Sequence, residues 1–409
     1  MTIGVGGSSR EQALAALQDM TAGVVPIALL EYRQRIASAQ QRMRELGIGA
    51  LYLHAGTSLN YFTGLQWHPS ERMVGAIVPC RGEVQFIAPW FELGTVRDFM
   101  VLEGEVHSWH EHESPYQLLA GIMRGLQQDG GLVLAIDGST PFFTVDGIAK
   151  SCPEAQLIDA RDVITWCRMC KSQAELALMQ RAKDMTLAVH KAAASILHEG
   201  ITTTEVQAFI QQAHRKVGAS GSTFCIVLFG GATAFPHGVK EPQTLQANDM
   251  VLIDTGCALH GYLSDITRTY VFGTPNERQR QVWNAEKAAQ AAAFAAAQIG
   301  TCCGDVDIAV RKQLASDGFG PGYLLPGLPH RTGHGIGLDL HEGPYLVSSD
   351  DTPLAPGMCF SNEPMICVPG EFGVRLEDHF YMTEDGPRWF TTPCHSIDDP
   401  FGHASHYSG

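Results

Sequence analysis

The sequence predicts an α+β protein of two domains, and three observations carry that expectation. Its 409 residues fit two or three domains at roughly 100–200 residues each. Over residues 50–136 short apolar runs alternate with helical stretches, which predicts a sheet covered by helices, an α/β domain. Past residue 168 the rhythm changes, and helices are inserted among antiparallel hairpins.

Taken in order, residues 1–25 are small and polar. Residues 29–46 read as an amphipathic helix, with Leu30, Ile36, Ala39 and Met43 near helical spacing. Strand-like runs follow at 50–53, 74–78, 84–88 and 132–136, with a helical stretch at 116–126 between them. The change of pattern over 165–172 sets the domain limits at 1–167 and 168–409. The second domain opens with long proline-free helices at 173–194 and 204–216. Strands are expected at 250–254, 262–272, 358–365 and 373–382, separated by an alanine-rich helix at 279–298 and another at 305–315.

Composition removes several classes of partner. With 43 acidic against 28 basic residues the formal charge is −15, so polyanions such as nucleic acid and anionic membrane surfaces are repelled. The 11 cysteines are odd in number and scattered, which predicts reduced, mostly buried thiols; the lone C-x-x-C, Cys167 to Cys170, has no second pair to make a zinc site. No run of 18 apolar residues and no signal-peptide pattern at the start point to a cytoplasmic protein.

The chemistry-bearing residues begin in VLIDTGCALHGYLSDITRTYVF. An apolar strand ends in Asp254, a turn lies near Leu259 to Gly261, and a second strand starts with Asp265. A turn centred between Leu259 and His260 sets the two aspartates directly opposite. One centred on His260 and Gly261 shifts the pairing by two residues and still leaves both on one face. In MCFSNEPMICVPGEFGVRLEDHFYMTEDG, a turn at or beside Phe372 puts Glu363 and Glu377 on one face as well, and Arg375 shares it. Like charges so placed are destabilising, so a raised pKa or a bound cation must compensate.

Between the hairpins, HRTGHGIGLDLHEGP supplies His330, His334 and His341, and Gly333 and Gly335 leave room for close backbone approach around His334. One imidazole and four carboxylates form an oxygen-rich set that favours manganese, cobalt or iron over thiolate-type zinc. Shared carboxylates favour two ions over one. Two other motifs fail: Ile253-Asp254-Thr255-Gly256 lacks the second copy that an aspartic protease needs, and the glycines around His334 miss the spacing and following lysine of nucleotide loops.

With these residues in place, the chain resembles the pita-bread metallopeptidase family, in its creatinase, prolidase and aminopeptidase P branch. LHAGTSLNYFTG in the first half is similar to the creatinase-like N-terminal domain of that branch, so the likeness spans nearly the whole chain, with a pita-bread catalytic domain in the second half. The resemblance implies that Asp254, Asp265, His334, Glu363 and Glu377 hold two divalent metal ions, Mn2+ first and Co2+, Fe2+ or Zn2+ as alternatives, with Asp265 and Glu377 bridging. It implies substrate-side roles for His237 in TAFPHG, His330 and His341, and an ordering role for Arg375. It implies hydrolysis of the Xaa-Pro bond of dipeptides by water made hydroxide between the ions, with Glu363 moving its proton, in a homodimer. The alternatives are aminopeptidase P action on longer peptides and a non-peptidase reaction on the same fold, ectoine-type amide hydrolysis or sulfonium lyase chemistry.

The chain departs from that pattern in places. Phe224 and Cys225 stand where many prolidases carry a tyrosine, Gly238 follows His237 where tyrosine is frequent, and residues 341–358 contain no arginine to hold a substrate carboxylate. Arg72 in WHPSERM is the expected substitute for substrate binding.

Overall fold

The computed structural model describes residues 2–126 and 132–403. The chain divides into two compact units, one of Ile27–Arg168 and one of Met1–Pro26 with Met169–Gly409. The first 26 residues therefore belong with the second unit, not with the first as their position in sequence suggests. Backbone bonds hold them there: Thr2 N–H donates to Gly273 O, Gly6 N–H to Ala194 O and Met20 N–H to Val217 O. A short helix, Arg10–Ala16, also forms in this polar stretch, because Ser9 and Gln12 make a reciprocal capping box.

The first unit is a six-stranded sheet in the order Glu105–Trp109, Gln85–Pro89, Gly75–Pro79, Ala50–His54, Val133–Ile136, Gln156–Asp159. Ala50–His54 is buried along its whole length, which is why it reads as a continuous apolar run. The two edge strands are partly exposed and carry no such run, so the sequence pattern misses them. The helix Leu29–Leu46 buries Ile36, Ala39 and Met43 and ends at Gly47 with φ 69°, while Leu30 points outward at 66% exposure.

The second unit opens with the helices Gln173–Ser195 and Thr203–Lys216, each started by a capping box. Its three-stranded sheet runs Ile266–Val271, Met250–Gly256, Phe224–Phe229. A five-stranded sheet runs Glu342–Leu346, Gly333–Gly335, Cys359–Asn362, Asp378–Thr383, Gly386–Trp389, and Met365–Val368 pairs with Phe372–Arg375 as a hairpin. The helices Glu277–Ala296 and Cys303–Ser316 pack on one another and share a core with these strands, in which Trp283, Val306, Phe360, Ile366 and Phe380 are buried. Each such side chain contributes about 1.5–3 kcal/mol by leaving water.

Three runs expected as single strands are each broken in two, and every break falls at a carboxylate. Tyr262–Leu263 and Ile266–Val271 flank Asp265, Cys359–Asn362 and Met365–Val368 flank Glu363, and Phe372–Arg375 and Asp378–Thr383 flank Glu377. The ladder is interrupted where side chains of like charge converge, and the freed backbone pairs elsewhere: Glu377 N–H donates to Thr267 O at 3.1 Å and Glu363 N–H to Thr332 O at 2.9 Å.

Candidate metal centre

Hairpin geometry sets the carboxylates. Tyr262 pairs with Leu259 around a turn at His260 and Gly261, both at positive φ, so of the two possible registers the shifted one holds and Asp254 lies opposite Thr267. In the other hairpin Val368 pairs with Phe372, so the turn centres on Gly370 and not at Phe372. Asn362 pairs with Asp378 and Met365 with Arg375 in the same register, which brings Glu363 opposite Glu377 across the interrupted ladder.

His334 is set by its glycines. A Cβ at Gly333 would lie 2.1 Å from Ser361 O, and one at Gly335 would lie 2.4 Å from Glu342 O, so only glycine admits the neighbouring strands. The Nδ1–H of His334 donates to Gly335 O at 3.0 Å, which leaves Nε2 as a bare lone pair. That nitrogen lies 3.1 Å from Glu363 Oε1 and 3.7 Å from Asp265 Oδ2. Ser361 fixes both partners, donating to Glu363 Oε1 at 3.2 Å and accepting from His334 N–H at 2.9 Å.

Ligand atoms of His334, Glu363 and Glu377 lie within 4.8 Å of one another, as do those of Asp265, His334 and His341. Asp254 is held by Arg375, Nη2 to Oδ2 at 2.5 Å, and the same guanidinium reaches Thr267 Oγ1 at 3.1 Å and Pro236 O at 3.0 Å. Thr267 in turn donates to Glu377 Oε2 at 2.7 Å. Arg375 thus orders two hairpins at once.

Electrostatics and unsatisfied atoms both point to cations. Burial, followed by the neighbouring carboxylates, raises Asp265 and Glu377 well above the ordinary carboxyl range. Burial raises Asp254 too, against the pull of Arg375. Burial also opposes the charge on Glu363, yet this carboxyl lies below its usual value, with Arg375 favouring its ionised form. Asp254 Oδ1, Asp265 Oδ1 and Glu377 Oε1 are buried with no hydrogen-bond partner among the described residues. Oxygen atoms without donors beside a bare imidazole nitrogen suit divalent ions.

Beside this cluster opens a cavity of about 460 Å³ lined by Pro236, His237, Pro329, His330, Arg331, His341, Glu363 and Arg375. His330 donates through Nδ1 to Arg331 O at 2.7 Å, leaving a buried Nε2 without a partner among the described residues. Burial lowers the pKa of His330, and burial, with the charge of Arg331 adding to it, pushes His341 down to about 4. Both rings are neutral at pH 7.

Arg72 lies in the first unit, where its guanidinium is bidentate to Glu111 through Nε and Nη2 at 3.1 Å each; the lining residues of the cavity all belong to the second unit. Two residues escape the sequence reading, one lining the cavity and one buried beside the carboxylates. Arg331 stands between His330 and Thr332 in the quoted motif, and its adjacency to His330 is the signal. His379 is fully buried, both ring nitrogens lack a partner among the described residues, and it lies within 4.8 Å of ligand atoms of Asp265 and Glu377. Its place two residues past Glu377 on one strand face could have disclosed it.

The fold and the centre define a metallopeptidase with a creatinase-type N-terminal domain. Residues 177–384 match metallopeptidase family M24 and residues 35–170 match the creatinase/prolidase N-terminal domain, and the chain belongs to that family. It is 31% identical to the putative dipeptidase YkvY of Bacillus subtilis over 86% of this chain and 96% of that one. It is 29% identical to the Xaa-Pro dipeptidase of Lactobacillus delbrueckii subsp. lactis, covering 86% of this chain and 95% of that one. The crystal structure of dipeptidase PepE from Mycobacterium ulcerans superposes with a TM-score of 0.85 at 32% identity, covering 91% of this chain and 99% of that one. Prolidase from Thermococcus sibiricus gives 0.80 at 29% identity, over 88% and 97%. No helix among the described residues is long and apolar enough to cross a membrane.

Proposed function

We propose that the protein is an Xaa-Pro dipeptidase that holds two divalent ions, manganese first, in Asp254, Asp265, His334, Glu363 and Glu377. The observation that carries this reading is the clustering of His334 with Glu363 and Glu377, and of Asp265 with His334 and His341, beside a cavity that Glu363 lines together with His237, His330 and His341. The names of the relatives support the substrate class. When bound, two divalent ions supply a Lewis acid for the scissile carbonyl and make water acidic enough to attack near neutral pH.

The chain's own residues do the rest. Glu363 lines the cavity and is held ionised, so it can take a proton from the attacking water and pass it to the departing proline nitrogen. His341, neutral at working pH, and His237 can donate to the oxygen that gains charge as the carbonyl is attacked. Arg375 holds Asp254 in place. Proline after the scissile bond has no N–H, so recognition falls to cavity walls, not to a backbone hydrogen bond.

The test compares release of the N-terminal alanine from Ala-Pro, Ala-Pro-Ala and Ala-Ala by the manganese-loaded protein. Cleavage of Ala-Pro with little turnover of the others is expected. Preference for Ala-Pro-Ala would move the assignment to aminopeptidase P, and cleavage of none would point to the non-peptidase chemistry.

A further inference from the structure

His379 is an imidazole that nothing in the protein satisfies. It has no exposed surface, and neither Nδ1 nor Nε2 finds a hydrogen-bond partner among the described residues. A buried polar ring in that condition is costly, and the cost calls for a partner from outside the chain. The strand that carries the ring is fixed on both sides. His379 lies opposite Ser361, whose hydroxyl meets both Glu363 Oε1 and the His334 backbone N–H. On its other side Phe390 N–H donates to His379 O at 2.9 Å.

The ring is placed beside two carboxylates in the same condition. A ring nitrogen of His379 and one oxygen each of Asp265 and Glu377 all lie within 4.8 Å of one another. Ligands that sit about 2.0–2.2 Å from a common ion stand about 3–4.4 Å apart, so these three groups are within reach of one cation. Asp265 Oδ1 and Glu377 Oε1 have no donor among the described residues, and His379 hydrogen-bonds neither. Lys183, a cation whose field reaches the ring, is taken up elsewhere: its Nζ donates to Leu263 O at 3.1 Å and lies 4.7 Å from the centre of the Phe390 ring. One divalent ion satisfies the two oxygens and the nitrogen together.

We infer that His379 is a metal ligand, joining Asp265 and Glu377 on one ion, so that the centre carries a second imidazole beside His334. This rests on the reading of Asp265 and Glu377 as metal ligands and adds a residue to it. The consequence is metal preference. An added imidazole strengthens the hold on Fe2+, Co2+ and Zn2+ more than on Mn2+, which is suited by oxygen.

The test is proton NMR of the protein loaded with Co2+, in which the remaining ring N–H of each coordinated imidazole gives an exchangeable line shifted far outside the ordinary spectrum. Wild type is expected to show one such line more than His379→Leu, with the His334 line kept in the variant. His379→Gln, which leaves a polar group in the same space, should lose the same line. Calorimetric titration of the chelator-stripped proteins gives a second readout: His379→Leu should bind cobalt at least about tenfold more weakly, and manganese should be affected less. Without metal, His379→Leu should unfold at the same urea midpoint as wild type or a higher one, because it removes a buried unpartnered group.

A ring that only packs, or that hydrogen-bonds a carboxylate, gives equal numbers of shifted lines in wild type and variants and a lower midpoint for His379→Leu without metal. Either result overturns the role of His379 while the five-residue centre stands. A single shifted line in a wild type that holds two cobalt ions does the same without any variant. A wild type that binds no cobalt overturns both.

Discussion

His334 Nε2 lies 3.1 Å from Glu363 Oε1 while Nδ1 of the same ring donates to Gly335 O. Two lone pairs therefore face each other across a hydrogen-bonding distance, inside a unit where Asp265 and Glu377 are already crowded by like charge. A cation between them resolves the conflict, and several consequences can be measured.

Removal of Asp265, proposed to bridge the two ions, should empty the centre. Asp265→Ala is expected to lower metal content from two ions per chain to none, read by mass spectrometry of the gel-filtered protein. Retention of two ions would show that Asp265 does not bridge.

Arg375 is buried, and its loss would strand the Asp254 carboxylate. Arg375→Met should cost the metal-free protein about 3–5 kcal/mol in urea unfolding. The cost should shrink once manganese neutralises Asp254. A loss below about 1 kcal/mol without metal would mean that the pair does not organise the site.

Gly333 is required by strand proximity, since an added Cβ would meet Ser361 O at 2.1 Å. Gly333→Ala should destabilise the protein by about 1–3 kcal/mol and spread the strands that carry His334 and Glu363. Weaker manganese binding in a calorimetric titration should accompany the lower melting temperature. Unchanged values for both would remove the glycine argument.

Acid should destabilise the second unit through two buried histidines on its opening helices, His190 and His214. Burial pushes His190 down to about 3 and His214 to about 4. Above about pH 6.5 both are neutral, folded or unfolded, and add no pH dependence. As pH falls from about 6.5 toward 4 the unfolded chain takes up protons that the folded one refuses. Stability then drops by up to about 1.4 kcal/mol per pH unit for each ring. Urea midpoints of wild type and His214→Gln between about pH 7 and pH 5 test this. The variant should show the shallower slope, and identical slopes would contradict it.

Much of the site was legible because hairpin parity survives errors of register. Moving the turn from Phe372 to Gly370 changed which residue faces Glu377 but not the face it occupies. The breaks at Asp265, Glu363 and Glu377 were hidden, because β-branched and aromatic neighbours read as unbroken strand while converging side-chain charge, a tertiary effect, cuts the ladder. The placement of residues 1–26 was hidden for a similar reason: their ties to Gly273, Ala194 and Val217 are backbone bonds that leave no trace in side-chain pattern. Arg331 went unread because nothing in HRTGHG tells which way its guanidinium turns, whereas Tyr345 beneath it does.

Manganese titration of the chelator-stripped protein, read by proline release from Ala-Pro, tests the dinuclear centre most directly. Release should be absent in chelator and should saturate at two ions per chain. Undiminished release in chelator, or a titration with no dependence on the ion, would contradict the centre built on His334 and the four carboxylates.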